Sequence, residues 1–253
     1  MPSGIRSQQP DCLVIAHRGA PAAAMENTMA AVRAAADEGA DMVEVDVRLT
    51  ADGVPVLAHD PDLRRTAADA RTIASMSLEE LREIDLGGAP PATLAECLHW
   101  CSGRLGLDVE IKEPAATGPA LAVIWAAQFK GRLLVSSFHR PVLMKVARAG
   151  NLATALIIGT RTWNPVVRWR EFYPWPWLRG AGAGMLVPHQ SLVHRGLMAR
   201  ARRQGVEVFA WLSQEDDRRA ETIFPRLLRL DVDGIITGRP GLLRSLLAAG
   251  RGA

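Results

Sequence analysis

A single (β/α)8 TIM barrel with a β-hairpin excursion near residues 42–60 is the α/β fold the sequence predicts, and three observations predict it. Nine apolar runs of strand-like composition start near residues 13, 42, 54, 105, 133, 152, 184, 206 and 234, most of them separated by segments with helical periodicity and caps. The runs at 42 and 54 lie too close together for the crossover that parallel pairing needs, so they must be antiparallel neighbours and one is an excursion from a set of eight. A length of 253 residues suits one barrel, with a doubly wound open sheet as the runner-up. No internal repeat or low-complexity linker divides the chain, so residues 1–253 are expected to form one domain, with residues 1–11 as a loose arm.

The elements follow in order. Leu13-Val14-Ile15-Ala16 makes a short buried strand ending at His17-Arg18-Gly19-Ala20. Asn27 or Thr28 caps a helix that runs to about Glu38 and stops at Gly39, with Ala31, Val32, Ala35 and Ala36 on one face. Over residues 42–60 two strand-like runs flank Thr50-Ala51-Asp52-Gly53, a hairpin signal. Glu44 and Asp46 are two residues apart, so on a strand both carboxylates share a face. A two-residue turn at Asp52-Gly53 would set position 46 opposite 59, and a loop two residues longer would set 44 opposite 59. Either register brings His59 beside both carboxylates, which suits a hard cation with an acid/base group next to it.

Ser77 and Glu80 form a capping box for a short helix over 78–84, and Pro90-Pro91 leads into a helix over 93–101. The strand over 105–111 runs into Lys112, and a helix over 118–128 follows. The strand from Leu133 runs into Ser136-Ser137-Phe138, and a helix over 141–149 stops at Gly150. Further strands are expected over 152–158, 184–187, 206–211 and 234–237, with helices over 191–204, about 214–228 and near 240–248.

Bulk composition narrows the function classes. The apolar fraction of 48% and charged fraction of 23% are ordinary for a globular protein, and a net charge of +3 gives no argument for nucleic acid. Only Lys112, Lys130 and Lys145 among 30 basic residues are lysines, so a lysine in a motif stands out. No apolar run is long enough to span a membrane, and the N-terminus has no secretory h-region. Cys12, Cys97 and Cys101 make neither a zinc site nor a disulfide scaffold, which leaves a reduced, cytoplasmic enzyme as the expectation.

Barrel enzymes carry their chemistry at the carboxyl ends of the strands. His17, Glu44, Asp46, Glu110, Lys112, Phe138 and Trp211 all fall there. His99, His189 and His194 read instead as structural or surface histidines, and His139 as a neighbour of the rim.

The motifs His17-Arg18-Gly19, Glu26-Asn27-Thr28, Glu44-Val45-Asp46-Val47, Thr50-Ala51-Asp52-Gly53 and His59-Asp60 together resemble the glycerophosphodiester phosphodiesterase family. Leu63-Arg64-Arg65-Thr66, Glu110-Ile111-Lys112, Ser137-Phe138, Trp211 and Asp233-Gly234-Ile235-Ile236-Thr237 continue the resemblance in order to about residue 240. It implies a TIM barrel with one divalent cation, Mg2+ or Ca2+, on Glu44, Asp46 and Glu110, and an acid/base pair in His17 and His59. It further implies that Arg18 and Lys112 hold the phosphate, that Trp211 lines the substrate pocket with Phe138 nearby, and that a small glycerophosphodiester is the partner. The sequence departs from the family's pattern at Trp211-Leu212-Ser213-Gln214 and at Thr237-Gly238-Arg239-Pro240, and its 59–91 segment is short.

One stretch stands apart. Residues 161–180 hold Trp163, Trp169, Phe172, Tyr173, Trp175 and Trp177, six of 13 aromatics, interleaved with Arg161, Arg168, Arg170 and Arg179. Amphipathic aromatics with arginines suit a membrane interface, and a packed loop over the barrel rim suits them too. Two alternatives to a soluble-diester hydrolase therefore stand: a lysophospholipase D-type enzyme working at a membrane surface, and a non-catalytic barrel that binds phosphorylated ligands.

Overall fold

The structure, a computed structural model, describes residues 12–159 and 164–250. The loose arm expected over 1–11 lies outside the described residues, as do Arg161 and Trp163 of the aromatic stretch. The strands are β1 (Leu13–His17), β2 (Met42–Leu49), β3 (Pro55–Leu57), β4 (Asp62–Leu63), β5 (Asp69–Thr72), β6 (Gly106–Ile111), β7 (Leu133–Ser137), β8 (Ala153–Ile158), β9 (Met185–Pro188), β10 (Glu207–Trp211) and β11 (Gly234–Thr237). Eight of them pair in parallel in the order β1-β11-β10-β9-β8-β7-β6-β2, and β1 pairs with β2 to close the barrel. β3 hangs from β2 as the antiparallel excursion.

The period-two alternation of the strands sorts the residues. Val14, Ala16, Val43, Val45, Val47, Leu107, Val109 and Val135 face outward into the main core, where they meet helix residues such as Val32, Leu98, Leu121 and Leu143. Residues of the opposite parity point into the barrel. Ile15, Met42, Leu134, Ala155, Met185, Phe209 and Ile236 form a buried apolar plug there. Gly106 belongs to that layer, and a Cβ on it would come within 2.5 Å of Met42 Cγ. Further along the same strands the inward positions turn polar, with His17, Glu44, Asp108, Glu110 and Ser136 lining a cavity. The plug closes one end of the barrel and chemistry is left to the other.

Local signals explain the helices. Thr28 caps helix Met29–Asp37, accepting a hydrogen bond from the Ala31 backbone. The Ser77/Glu80 capping box is present, and a second, Thr93/Glu96, starts helix Leu94–Cys101. Three expectations need adjustment. Helix Arg195–Gln204 starts four residues later than the periodicity suggests, because His194 supplies the cap and Gln190–Leu192 winds as a 3-10 turn. The 214–228 segment is two helices, Gln214–Asp217 and Ala220–Arg229. The hairpin takes neither register anticipated: Val47 pairs with Leu57 and Leu49 with Pro55, so a five-residue loop sets the offset midway between the two. His59 thus lies beyond the end of β3 rather than on the ladder.

The β4–β5 hairpin was not foreseen. Asp69-Ala70-Arg71-Thr72 carries no alternating apolar pattern, and these residues are largely exposed. Only its flanks are anchored, by Leu63 and Ile73 in a small separate core with Val56, Met76 and Leu81.

Candidate active site

The His-Arg-Gly turn at the end of β1 is conformationally demanding. Arg18 has φ +58° and Gly19 φ +88°, and a Cβ on Gly19 would lie 2.5 Å from the Ala31 carbonyl carbon. Only glycine lets the chain pass helix Met29–Asp37 so closely. The turn presents the Arg18 backbone N–H to Glu44 Oε2 at 2.9 Å. It also aims the guanidinium at two carboxylates, Glu26 Oε1 at 2.9 Å and Asp46 Oδ2 at 3.1 Å. The planar fork that the sequence offers to phosphate is thus partly engaged with the protein's own acids.

Strand register assembles the rest. β1 sets His17 beside Glu44, and β6 sets Asp108 beside Glu44 and Glu110 beside Asp46. Glu44, Asp46 and Glu110 are all buried, with one oxygen from each lying within 4.8 Å of the others. Asn27, in left-handed backbone with φ +56°, clamps Asp46 from both sides. Its Nδ2 donates to Asp46 Oδ2 at 2.8 Å, and the Asp46 backbone N–H donates to its Oδ1 at 3.0 Å. Lys112 Nζ lies 2.6 Å from Glu110 and 3.1 Å from Asp46, and 5.9 Å from the centre of the Phe138 ring. His17 Nε2 stands 3.9 Å from Glu44 Oε2.

A charged relay ties the excursion to this cluster. His59 Nδ1 is 2.8 Å from Asp60, Arg65 bridges Asp60 at 2.7 Å and Glu26 at 2.6 Å, and Gln214 donates to Glu26 at 2.9 Å. Because an ionised Asp60 only accepts, His59 Nδ1 carries the proton of that bond and Nε2 keeps the lone pair.

Crowding of acids shifts their titration. Burial, then the neighbouring Asp46 and Glu110, holds Glu44 well above the usual carboxylate range. Burial and Asp46 raise Glu110 to about 7, and burial raises Asp108 to about 8. Asp46 goes the other way: burial would raise it, but Lys112 and Arg18 outweigh that and hold it low. His17 is pushed down to about 3 by burial and by Arg18, and His59 is lowered chiefly by burial. Three acids in so small a volume form a pocket that favours a cation.

All nine residues singled out in the sequence meet here. His17, Arg18, Glu44, His59, Glu110, Lys112, Phe138 and Trp211 line one cavity, with Asp46 buried behind it. Phe138 and Trp211 meet edge to face at 6.4 Å, and the Trp211 indole N–H donates to Ile158 O at 2.9 Å. His139 is exposed and stands outside the cavity lining.

Two side chains escaped the sequence reading. Asp108 sits two residues before Glu110 on the same inward face, so the parity argument used for Glu44 and Asp46 could have found it. His189, read as structural or surface, packs on Trp211 at 4.6 Å and is held by Asp216 at 2.8 Å. It lines the outer cavity above His17 and His59, and a lone histidine after β9 carries no motif that would have marked it.

A closed parallel barrel that gathers three buried acids, two histidines and two basic side chains at one rim has the layout of a barrel enzyme, with its chemistry at the carboxyl ends of the strands. Residues 17–242 match the model of the Glycerophosphoryl diester phosphodiesterase family. The chain belongs to this family, whose members are phosphodiester hydrolases. It is 31% identical over 252 residues to the glycerophosphodiester phosphodiesterase of Caldanaerobacter subterraneus subsp. tengcongensis, covering 94% of this chain and 98% of that one. Among solved structures it resembles an Oleispira antarctica phosphodiesterase in complex with the product sn-glycerol-3-phosphate, at 25% identity and TM-score 0.79 over 95% of this chain and 97% of that one. The glycerophosphodiester phosphodiesterase of Thermotoga maritima superposes with TM-score 0.74 at 26% identity, over 92% of this chain and 98% of that one.

Proposed function

We propose that this chain hydrolyses glycerophosphodiesters to an alcohol and sn-glycerol 3-phosphate, with one divalent cation, Mg2+ or Ca2+, and with His17 and His59 as the acid/base pair. The observation that carries the reading is the convergence of Glu44, Asp46 and Glu110 in a cavity lined by both histidines. The product complex of the Oleispira relative supports the choice of substrate class.

The residues fit a hard cation. The donor set is all carboxylate oxygen, and Glu44 Oε1 is buried without a hydrogen-bond partner. Glu44, Asp46 and Glu110 would hold the ion, which when bound supplies positive charge to phosphate oxygens that gain negative charge as phosphorus is attacked. Lys112 adds a point charge at the same cavity, and Arg18 the remaining edge of its guanidinium. Phe138 and Trp211 shape an apolar wall for the departing alcohol. One histidine takes the proton of the attacking oxygen, either water or the glycerol 2-hydroxyl, and the other gives a proton to the leaving alkoxide; where the 2-hydroxyl attacks, water then opens the cyclic phosphate to sn-glycerol 3-phosphate. His59 is oriented for this by Asp60, which leaves Nε2 to exchange the proton. A barrel that only binds its ligand has no use for that pair.

The test is release of glycerol 3-phosphate from glycerophosphocholine and glycerophosphoethanolamine with Mg2+, with Ca2+ and with EDTA. Cation-dependent release that falls by about 10²–10⁴ in His17→Ala is expected. Release untouched by EDTA would sink the cation's role, and silence with every diester and metal would leave a binding barrel.

A further inference from the structure

We propose that the aromatic and arginine face at the C-terminal rim of the barrel docks on an anionic lipid surface. The inference stands apart from the reaction above, since it rests on residues outside the cavity.

After β8 the chain forms two helices, Pro165–Phe172 and Trp175–Ala181. The expectation of a packed rim segment holds for the second helix: Trp175 and Leu178 are buried in the main core, and Trp177 packs against it. It fails for the first. Trp169 is 58% exposed, Phe172 64% and Tyr173 40%, so the three largest exposed apolar side chains of this segment stand together. The Trp169 and Tyr173 rings lie with their centres 6.0 Å apart, tilted by 38°. Burying such rings in protein would have stabilised the fold by roughly 1.5–3 kcal/mol each, so their exposure marks an interaction face.

Charge selects the partner. Residues 164–181 contain Arg168, Arg170 and Arg179 against Glu171 alone, three positive and one negative for a net +2, and Glu171 is buried. Arg168 lies over the Phe172 ring at 5.4 Å. Arg200, from helix Arg195–Gln204, lies over Tyr173 at 4.9 Å and over Trp175 at 5.3 Å. Rings able to enter the headgroup layer, ringed by guanidinium groups able to pair with lipid phosphate, match an anionic bilayer surface. A symmetric contact with a second copy would set arginine against arginine. Helix Pro165–Phe172 is the first helix after β8, and Gly159 just past the end of that strand borders the outer cavity.

The experiment is co-sedimentation of the full chain with vesicles of phosphatidylcholine alone and of phosphatidylcholine with an equal part of phosphatidylglycerol, read together with tryptophan emission. Binding to the anionic vesicles alone is expected, with a blue shift in emission and loss on raising salt. The Trp169→Ala/Phe172→Ala variant should bind at least about tenfold more weakly, and Arg168→Glu should weaken binding as well. Both variants should keep the wild-type melting temperature, which establishes that they fold. No sedimentation of folded protein, equal binding to neutral and anionic vesicles, or binding indifferent to both variants would each overturn the proposal. So would a wild-type dimer that Trp169→Ala/Phe172→Ala converts to monomer, which would assign the face to a second copy.

Discussion

Replacing Asn27 with alanine should loosen the acid cluster from behind while leaving every cavity-lining side chain in place. Asn27 is 2% exposed and makes two hydrogen bonds to Asp46, which is itself fully buried. The bond to the carboxylate is charge-assisted and worth roughly 1.5–3 kcal/mol, and the backbone bond contributes about 1 kcal/mol. Alanine at φ +56° adds roughly 1 kcal/mol of backbone cost that asparagine tolerates better. The sum is about 3–5 kcal/mol, which in a chain of this size lowers the melting temperature by about 10 °C. Asp46 also loses the partner that fixes its orientation, so affinity for Mg2+ or Ca2+ should fall about 10–100-fold. Asn27→Gly separates the two effects: it relieves the backbone cost, recovering about 1 kcal/mol, and leaves the weakened cation binding. Thermal unfolding with and without cation, with calorimetric titration of Ca2+, reads both quantities. A folded Asn27→Ala protein that binds cation within twofold of wild type would refute the claim that Asn27 sets Asp46.

The acids of the cluster give two predictions with definite signs. Glu44 is held well above its ordinary value and Glu110 at about 7, so both must release protons to take a cation. Cation affinity should therefore climb as pH rises toward about 8, by up to about tenfold per unit for each proton released, with matching proton release in calorimetry across two buffers. A pH-independent affinity would show that the acids are already ionised. Asp108, at about 8, keeps a proton in the folded chain that the unfolded chain gives up near pH 4. Its contribution is complete below about pH 4 and is lost as pH rises to about 8, by up to about 1.4 kcal/mol per unit. Asp108→Asn should flatten that decline in denaturant melts of the cation-free protein, and an unchanged slope would contradict the burial argument.

Much of this molecule was legible because barrel strands write two messages at once. Inward and outward positions alternate, so Glu44 and Asp46 announced a shared face, and the motif at His17-Arg18-Gly19 announced a strand end. The hairpin register was not legible, because turn residues do not count loop length: Asp52-Gly53 sits inside a five-residue loop. The β4–β5 hairpin was invisible for a related reason, being polar and anchored only at its edges. Arg18 was assigned to the phosphate through the family resemblance, whereas its Glu26 and Asp46 partners are brought to it by folding. His189 acquires its place only through Trp211 and Asp216, which come from other elements.

The alternation of the strands has one more consequence. Along β2, Val43, Val45 and Val47 belong under the helices, and Glu44 and Asp46 belong inside. Deleting a single residue near the start of β2 would exchange the two sets, driving acids into the apolar layer and valines into the cavity. The site is therefore in frame with the barrel, as a coding sequence is with its codons. Strands can change letter by letter, but they cannot change length one residue at a time. Changes of length are tolerated only in the connections, among them the excursion after β2 and the aromatic segment after β8.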